Sequence, residues 1–181
     1  MGIPPEPSKV QDPSFGFPNN TPGLEPGIGV ALGSATVSPI NMANAYATLA
    51  NGGVRNEVHV LQKVVDRRGE VLYEAKKRSK RTVDPDIAAD VTYALQQVVE
   101  SGSGTEALAL ARPAAGKTGT ATNDDDEVSS SWFVGMTPQM STAVMYVRGK
   151  GREGLDVVRP DGADLWLPTS SDGRSGYFGG N

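Results

Sequence analysis

Apolar and polar positions along this chain of 181 residues follow two different rhythms. Over residues 39–50, Ile40, Ala43, Ala47 and Ala50 share one helical face, joined by Met42, Tyr46 and Leu49. Ser38 suits the N-cap, Pro39 suits the first helical position, and Asn51-Gly52-Gly53 stops the helix. So many alanines predict a helix pressed closely against a neighbour. The same spacing returns in Ile87, Val91, Leu95 and Val98, which predicts a second helix over 85–100. Asp84 caps it, Pro85 starts it, and Ser101-Gly102-Ser103-Gly104 ends it. Thr105 to Leu110 reads as one more short helix, limited by Pro113.

Elsewhere the chain is extended. Val58, Val60, Val64 and Val65 lead into a turn at Asp66-Arg67-Arg68-Gly69, and Val71-Leu72-Tyr73 returns, which predicts a hairpin. The basic run Lys76-Lys77-Arg78-Ser79-Lys80-Arg81 follows, and without interleaved aromatics it reads as solvated linker. Three strands are predicted later, at about 115–121, 131–136 and 141–147, with a bend at Thr137-Pro138-Gln139 between the last two. Short links make them an antiparallel meander, so the fold class is α+β: an antiparallel sheet packed with helices. Asn123 to Glu127 is too polar for a core and reads as a loop. Residues 1–29 form an irregular Pro/Gly-rich surface segment that cannot make a core alone, and 149–176 reads as one long loop.

Composition narrows the function classes. A net charge of -4 gives no case for nucleic acid, whose binders show a basic face. No apolar run approaches the length of a membrane span. The chain opens on prolines rather than on a basic segment and apolar block, so no signal peptide is visible. The absence of cysteine fits an extracytoplasmic bacterial protein without requiring one. A lone histidine, His59, argues against a multi-histidine metal site; no metal and no cofactor are expected.

The candidate chemistry lies in Ala115-Gly116-Lys117-Thr118-Gly119-Thr120-Ala121. On a strand, residues 117, 119 and 121 point one way and 118 and 120 the other. Gly119 leaves a notch where a peptide-like substrate can lie flat on the strand. Lys117 supplies a positive charge beside the notch, suited to a carboxylate, and Thr118 and Thr120 supply hydroxyl and backbone donors. A strand so equipped suits holding an acylated peptide and polarising its carbonyl.

Taken in order, several stretches resemble the penicillin-binding protein transpeptidases, and most closely the bifunctional class A proteins. They are Ser38-Pro39 through Met42-Ala43, Ala45-Tyr46-Ala47 and Leu49-Ala50-Asn51-Gly52-Gly53; Gly104-Thr105; Ala115 to Thr120; and Trp132 to Gln139. Lys-Thr-Gly is among the motifs of these serine acyltransferases. The likeness covers about residues 24–147, and Tyr177-Phe178-Gly179-Gly180 resembles the stretch before the family's final helix. The departures are as informative. The family's nucleophile is a serine in Ser-x-x-Lys, supported by Ser-x-Asn, and neither pattern occurs in these residues. The chain therefore resembles the C-terminal half of a transpeptidase domain, and Met1 is expected to be internal to a longer parent or an added start.

The resemblance implies a D,D-transpeptidase that cross-links peptidoglycan stem peptides and is acylated by β-lactams. It also implies a cell-envelope, extracytoplasmic setting with a membrane anchor elsewhere in the parent, and the missing N-terminal half of the domain as the necessary partner. By resemblance, Lys117 holds the field for the substrate carboxylate and steadies the serine of the second motif. Thr118 and Thr120 bind substrate, with Thr120 favoured. Its hydroxyl would meet the carboxylate and its N–H would supply half of an oxyanion hole. Trp132 and Phe133 read as sheet core, and the acidic loop as a solvated turn. Two alternatives stay open: a related D,D-carboxypeptidase or β-lactamase, and a non-catalytic binding module.

Overall fold

The structure is a computed structural model and describes residues 15–18, 20–24, 33, 35–149, 151–155, 157–158 and 164–165. Most of the irregular segment 1–29, and the Tyr177 to Gly180 stretch, lie outside the described residues. The chain divides into two units, Met1–Val91 and Thr92–Asn181, and the boundary falls inside the second helix.

In the first unit, helix α1 (Pro39–Ala50) starts where its punctuation says it should. The Ser38 side chain accepts from the Asn41 N–H at 3.4 Å, and Pro39 occupies the first turn. Gly52 and Gly53 end the helix with φ of 60° and 85°. Gly53 is needed twice over, because a Cβ there would lie 2.1 Å from the Val83 carbonyl oxygen. The buried line of α1 is Ala45, Thr48 and Leu49 rather than the Ile40-Ala43-Ala47-Ala50 face that the spacing suggested. Thr48 satisfies its buried hydroxyl on the Asn44 carbonyl at 2.9 Å.

The expected hairpin is present as β2 (Lys63–Val65) and β3 (Val71–Glu74), antiparallel. Its turn is organised by Asp66, whose Oδ1 accepts the Arg68 and Glu70 N–H groups at 2.8 Å each. These bonds, the one from Glu70 foremost, hold the Asp66 carboxyl below its ordinary range. The ribbon is longer than expected. Ser79–Arg81, read as linker, is strand β4 and pairs antiparallel with β1 (Val54–Asn56). A bond from the Glu57 amide to the Arg78 carbonyl and one from the Ala75 amide to the Gln62 carbonyl carry the pairing along the ribbon. The correction has a plain cause: Ser-Lys-Arg has no apolar alternation, and backbone bonds to 54–56 supply what the side chains do not.

Helix α2 (Pro85–Ser101) matches its predicted bounds to within a residue. Its apolar stripe is differently phased. Ala88 and Val99 are buried, while Ile87 is 54% exposed. In the second unit, a 3-10 turn (Thr105–Leu110) follows and ends at Ala111 in the left-handed region. Then comes the meander: β5 (Ala115–Thr122), β6 (Val128–Thr137) and β7 (Met140–Val147), antiparallel in the order β5-β6-β7. Pro138 and Gln139 make the bend between β6 and β7, as the sequence indicates.

Residues 149–176, expected to be one loop, contain a short ladder of β8 (Val157–Val158) and β9 (Asp164–Leu165). Ahead of it Leu155 is buried and its amide donates to the Val128 carbonyl at 2.7 Å. Among the described residues no helix is long and apolar enough to cross a membrane.

Candidate active site

Strand β5 carries the candidate residues, and register fixes what each faces. Lys117 pairs with Val134, Thr118 with Phe133, Gly119 with Trp132 and Thr120 with Ser131. Side chains alternate along a strand, so Lys117 and Gly119 share one face while Thr118 and Thr120 share the other. In the order β5-β6-β7, β5 pairs with β6 alone, so its other side is an open backbone edge among the described residues. Such an edge is the place where an extended peptide adds by main-chain hydrogen bonds.

Lys117 is exposed, and its Nζ donates to the Thr118 carbonyl at 3.0 Å. Thr118 is half-buried, and its hydroxyl lies 2.7 Å from that of Ser103. Thr120 is exposed. Gly119 is a notch with room: a Cβ built there would meet the Trp132 Cβ at 3.4 Å, an ordinary contact. Gly116 is different. A Cβ there would come within 2.8 Å of both the Phe133 ring and the Val134 carbonyl oxygen. A Cβ on its register partner Gly135 would likewise lie 2.8 Å from that ring. The Phe133 ring therefore lies across a pair of facing glycines, which sets it in the sheet as expected. The backbone beneath it stays bare because the ring fills that space.

A groove of about 520 Å³ lies in the second unit, bordered by Ser103, Leu110, Thr118, Phe133, Met140 and Val144, among others. Lys117, Gly119 and Thr120 do not line it, although Thr118 does. The groove lies on the Thr118 face of β5, opposite Lys117 and Gly119, and its walls are nearly all apolar. Away from the Ser103 and Thr118 hydroxyls its walls do not suit a carboxylate, and Lys117, Gly119 and Thr120 lie outside it along the open edge of β5.

The acidic loop is a closed bend. The Asn123 side-chain carbonyl accepts the Asp125 and Glu127 N–H groups at 3.0 and 2.9 Å, and the Asn123 amide donates to the Glu127 carbonyl at 2.8 Å. Its residues 124–127 are exposed, as befits a solvated turn. Among the described residues no cluster of three or more His, Cys, Asp or Glu side chains could hold a metal. The contact that sequence reasoning missed is Ser103 with Thr118. Fifteen residues separate the two, and no periodic pattern links a helix-ending turn to a strand.

The family model described as the penicillin-binding protein transpeptidase domain matches residues 7–160. The chain belongs to the penicillin-binding protein transpeptidase family. Penicillin-binding protein 1A of Mycolicibacterium smegmatis is 39% identical over 137 residues, which is 74% of this chain and 16% of that protein. Penicillin-binding protein 1A of Mycobacterium tuberculosis is 34% identical over 179 residues, 92% of this chain and 20% of that protein. The chain thus spans a fifth or less of the length of these curated relatives. Among solved structures, the penicillin-binding protein PonA1 from Mycobacterium tuberculosis superposes with a TM-score of 0.67 at 37% identity, covering 77% of this chain and 36% of that one. The same protein in complex with penicillin V gives a TM-score of 0.62 at 33% identity, covering 78% of this chain and 37% of that one. The mixed helix and antiparallel-sheet architecture matches that of these family members.

Proposed function

We propose that this polypeptide supplies one wall of a serine D,D-transpeptidase site, with the attacking serine coming from residues outside these 181. The observation that carries this reading is Lys117-Thr118-Gly119-Thr120 lying along the open edge of an antiparallel sheet, in a chain of this family. The serine oxygen attacks the carbonyl carbon of the penultimate D-alanine of a stem peptide. The peptide C–N bond breaks, the terminal D-alanine leaves with a proton on its nitrogen, and an ester to the serine remains. The amine of a neighbouring stem peptide then attacks that ester, the serine recovers its proton, and a cross-link forms. β-Lactams stop at the ester.

The four residues Lys117 to Thr120 of β5 each have a share in this. Lys117 sets a positive field for the carboxylate of the substrate and steadies the serine of the Ser-x-Asn element. The Thr120 hydroxyl binds the carboxylate, and its N–H gives half of the oxyanion hole; losing one such donor costs on the order of a hundredfold in rate. Thr118 adds a second hydroxyl, and Gly119 keeps the edge clear. The complex of the similar PonA1 protein with penicillin V supports a β-lactam as ligand. The match to the transpeptidase domain model over residues 7–160 favours cross-linking over hydrolysis. The setting proposed is the cell envelope, outside the cytoplasm, with the membrane anchor elsewhere in the parent.

A labelled penicillin tests the reading. The 181-residue chain alone is expected to form no covalent adduct, whereas the chain complemented by a fragment bearing Ser-x-x-Lys and Ser-x-Asn forms a stable one. Stable labelling of the isolated chain overturns it.

A further inference from the structure

The turn that closes α2 and the motif strand meet through two hydroxyls. Ser103 Oγ and Thr118 Oγ1 are 2.7 Å apart, a full-strength O–H···O distance, and this is the one hydrogen bond of the Ser103 side chain among the described residues. The serine rides on a tightly wrapped backbone. The amides of Gly102 and Gly104 both donate to the Val98 carbonyl, at 3.1 and 2.9 Å. A Cβ at Gly102 would sit 2.9 Å from Val98 Cα, and one at Gly104 would sit 3.2 Å from the Val98 oxygen and 3.5 Å from the Phe133 ring. Glycine on each side thus lets the turn lie flat between α2 and β6, which fixes where the Ser103 oxygen stands.

A hydroxyl has one proton to donate and lone pairs to accept with. If Thr118 gives its proton to Ser103, it presents only lone pairs to an arriving anion. If Ser103 donates instead, Thr118 keeps a proton for that anion. The Lys117 ammonium is drawn to the same residue, donating to the Thr118 carbonyl at 3.0 Å. An anion that accepts a hydrogen bond from the Thr118 hydroxyl selects the arrangement in which Ser103 is the donor.

We propose that Ser103 is a positioning residue for carboxylate recognition: it donates to Thr118 Oγ1 and thereby leaves the Thr118 proton for the substrate's carboxylate. This rests on the transpeptidase reading and adds to it a residue outside the Lys-Thr-Gly motif.

The test uses the complemented protein, with acylation rates measured for benzylpenicillin and for its carboxylate methyl ester. Wild type is expected to prefer the free acid. Ser103→Ala reduces that preference about tenfold, as loss of one hydrogen bond oriented toward a charged group should, and leaves the ester rate within about twofold. Ser103→Thr restores the preference, because it returns a hydroxyl. Adding Ser103→Ala to Thr118→Ala costs little more, because the first acts through the second. Equal losses for acid and ester, or losses that multiply in the double variant, overturn the proposal while leaving the transpeptidase reading intact. Wild type that neither compound acylates overturns both. Should alanine disturb the turn, seen as a lowered melting temperature, Ser103→Cys repeats the comparison with a weak donor of similar size, and a preference kept at the wild-type value there counts against the proposal.

Discussion

The ribbon over residues 54–81 and the meander over 115–147 are both antiparallel and both carry solvent-exposed strand residues, yet they are built on opposite plans. The ribbon has bulky side chains on an unburied backbone. Val60 is 91% exposed, Leu72 is 68% exposed, and every residue of β2, β3 and β4 is exposed. Its organising contacts are local, as in the Asp66 turn. The meander inverts this. Its motif strand is nearly stripped of bulk, two facing glycines lie beneath one aromatic ring, and a hydroxyl reaches it from fifteen residues away. Exposure alone therefore does not mark a site. What marks one is a strand edge kept free of bulk, at Gly116 beneath the Phe133 ring and at Gly119 as an open notch.

The largest effect expected of this contrast is on stability at Gly116. Gly116→Val forces side-chain atoms into the Phe133 ring and the Val134 carbonyl, both already 2.8 Å from a bare Cβ, and should cost about 3 kcal/mol in a denaturant titration. A loss below about 0.5 kcal/mol would remove the claim that the ring enforces the bare strand.

Next is an effect on activity without one on folding. Gly119→Ala adds a methyl that finds an ordinary 3.4 Å contact with Trp132, so the sheet keeps its melting temperature. Acylation by penicillin in the complemented protein should fall about tenfold or more, because the methyl crowds the edge that Gly119 keeps clear for the acyl chain. A parallel fall in stability would make Gly119 a packing residue like Gly116.

The ribbon should respond weakly. Asp66→Ala removes the acceptor of the Arg68 and Glu70 amides, and those two should exchange with solvent faster while the rest of the protein is unchanged. The pH dependence has a definite sign. The folded carboxyl is held below its unfolded value, so its contribution is fully present above about pH 4 and is lost as pH falls through the lowered folded value. Equal protection of these amides at pH 3 and pH 7, relative to their intrinsic exchange rates, would show that the turn owes nothing to that charge. Smallest of all, Val60→Lys should shift stability by less than about 0.5 kcal/mol, since the side chain is already in water.

These contrasts also separate what was legible in the sequence from what was not. Helix ends were legible because their signals are local: Ser38-Pro39, Asp84-Pro85 and Asn51-Gly52-Gly53 each act within a turn of where they stand. The stripes were misphased: Ile40 was read as inward with Ala43, Ala47 and Ala50, and Ile87 with Val91, Leu95 and Val98. The structure instead buries Ala45, Thr48 and Ala88, small residues that let other chain segments come close, and leaves Ile40 and Ile87 out. The alternation of β5 was readable, and with it the split of Lys117 from Thr118. Strand β4 was not, because its pairing rests on backbone bonds to β1 and not on its Ser-Lys-Arg side chains. The Ser103 contact and the position of the apolar groove depend on how distant segments meet, for which periodicity carries no signal.

A crystal structure of the complemented protein acylated by benzylpenicillin tests the central claim most directly. It should show the acyl chain laid against the open edge of β5, with the carboxylate within about 3 Å of the Thr118 or Thr120 hydroxyl and the Lys117 ammonium beside it. An adduct whose carboxylate is held elsewhere, with the Lys117 to Thr120 edge still facing water, would contradict the account.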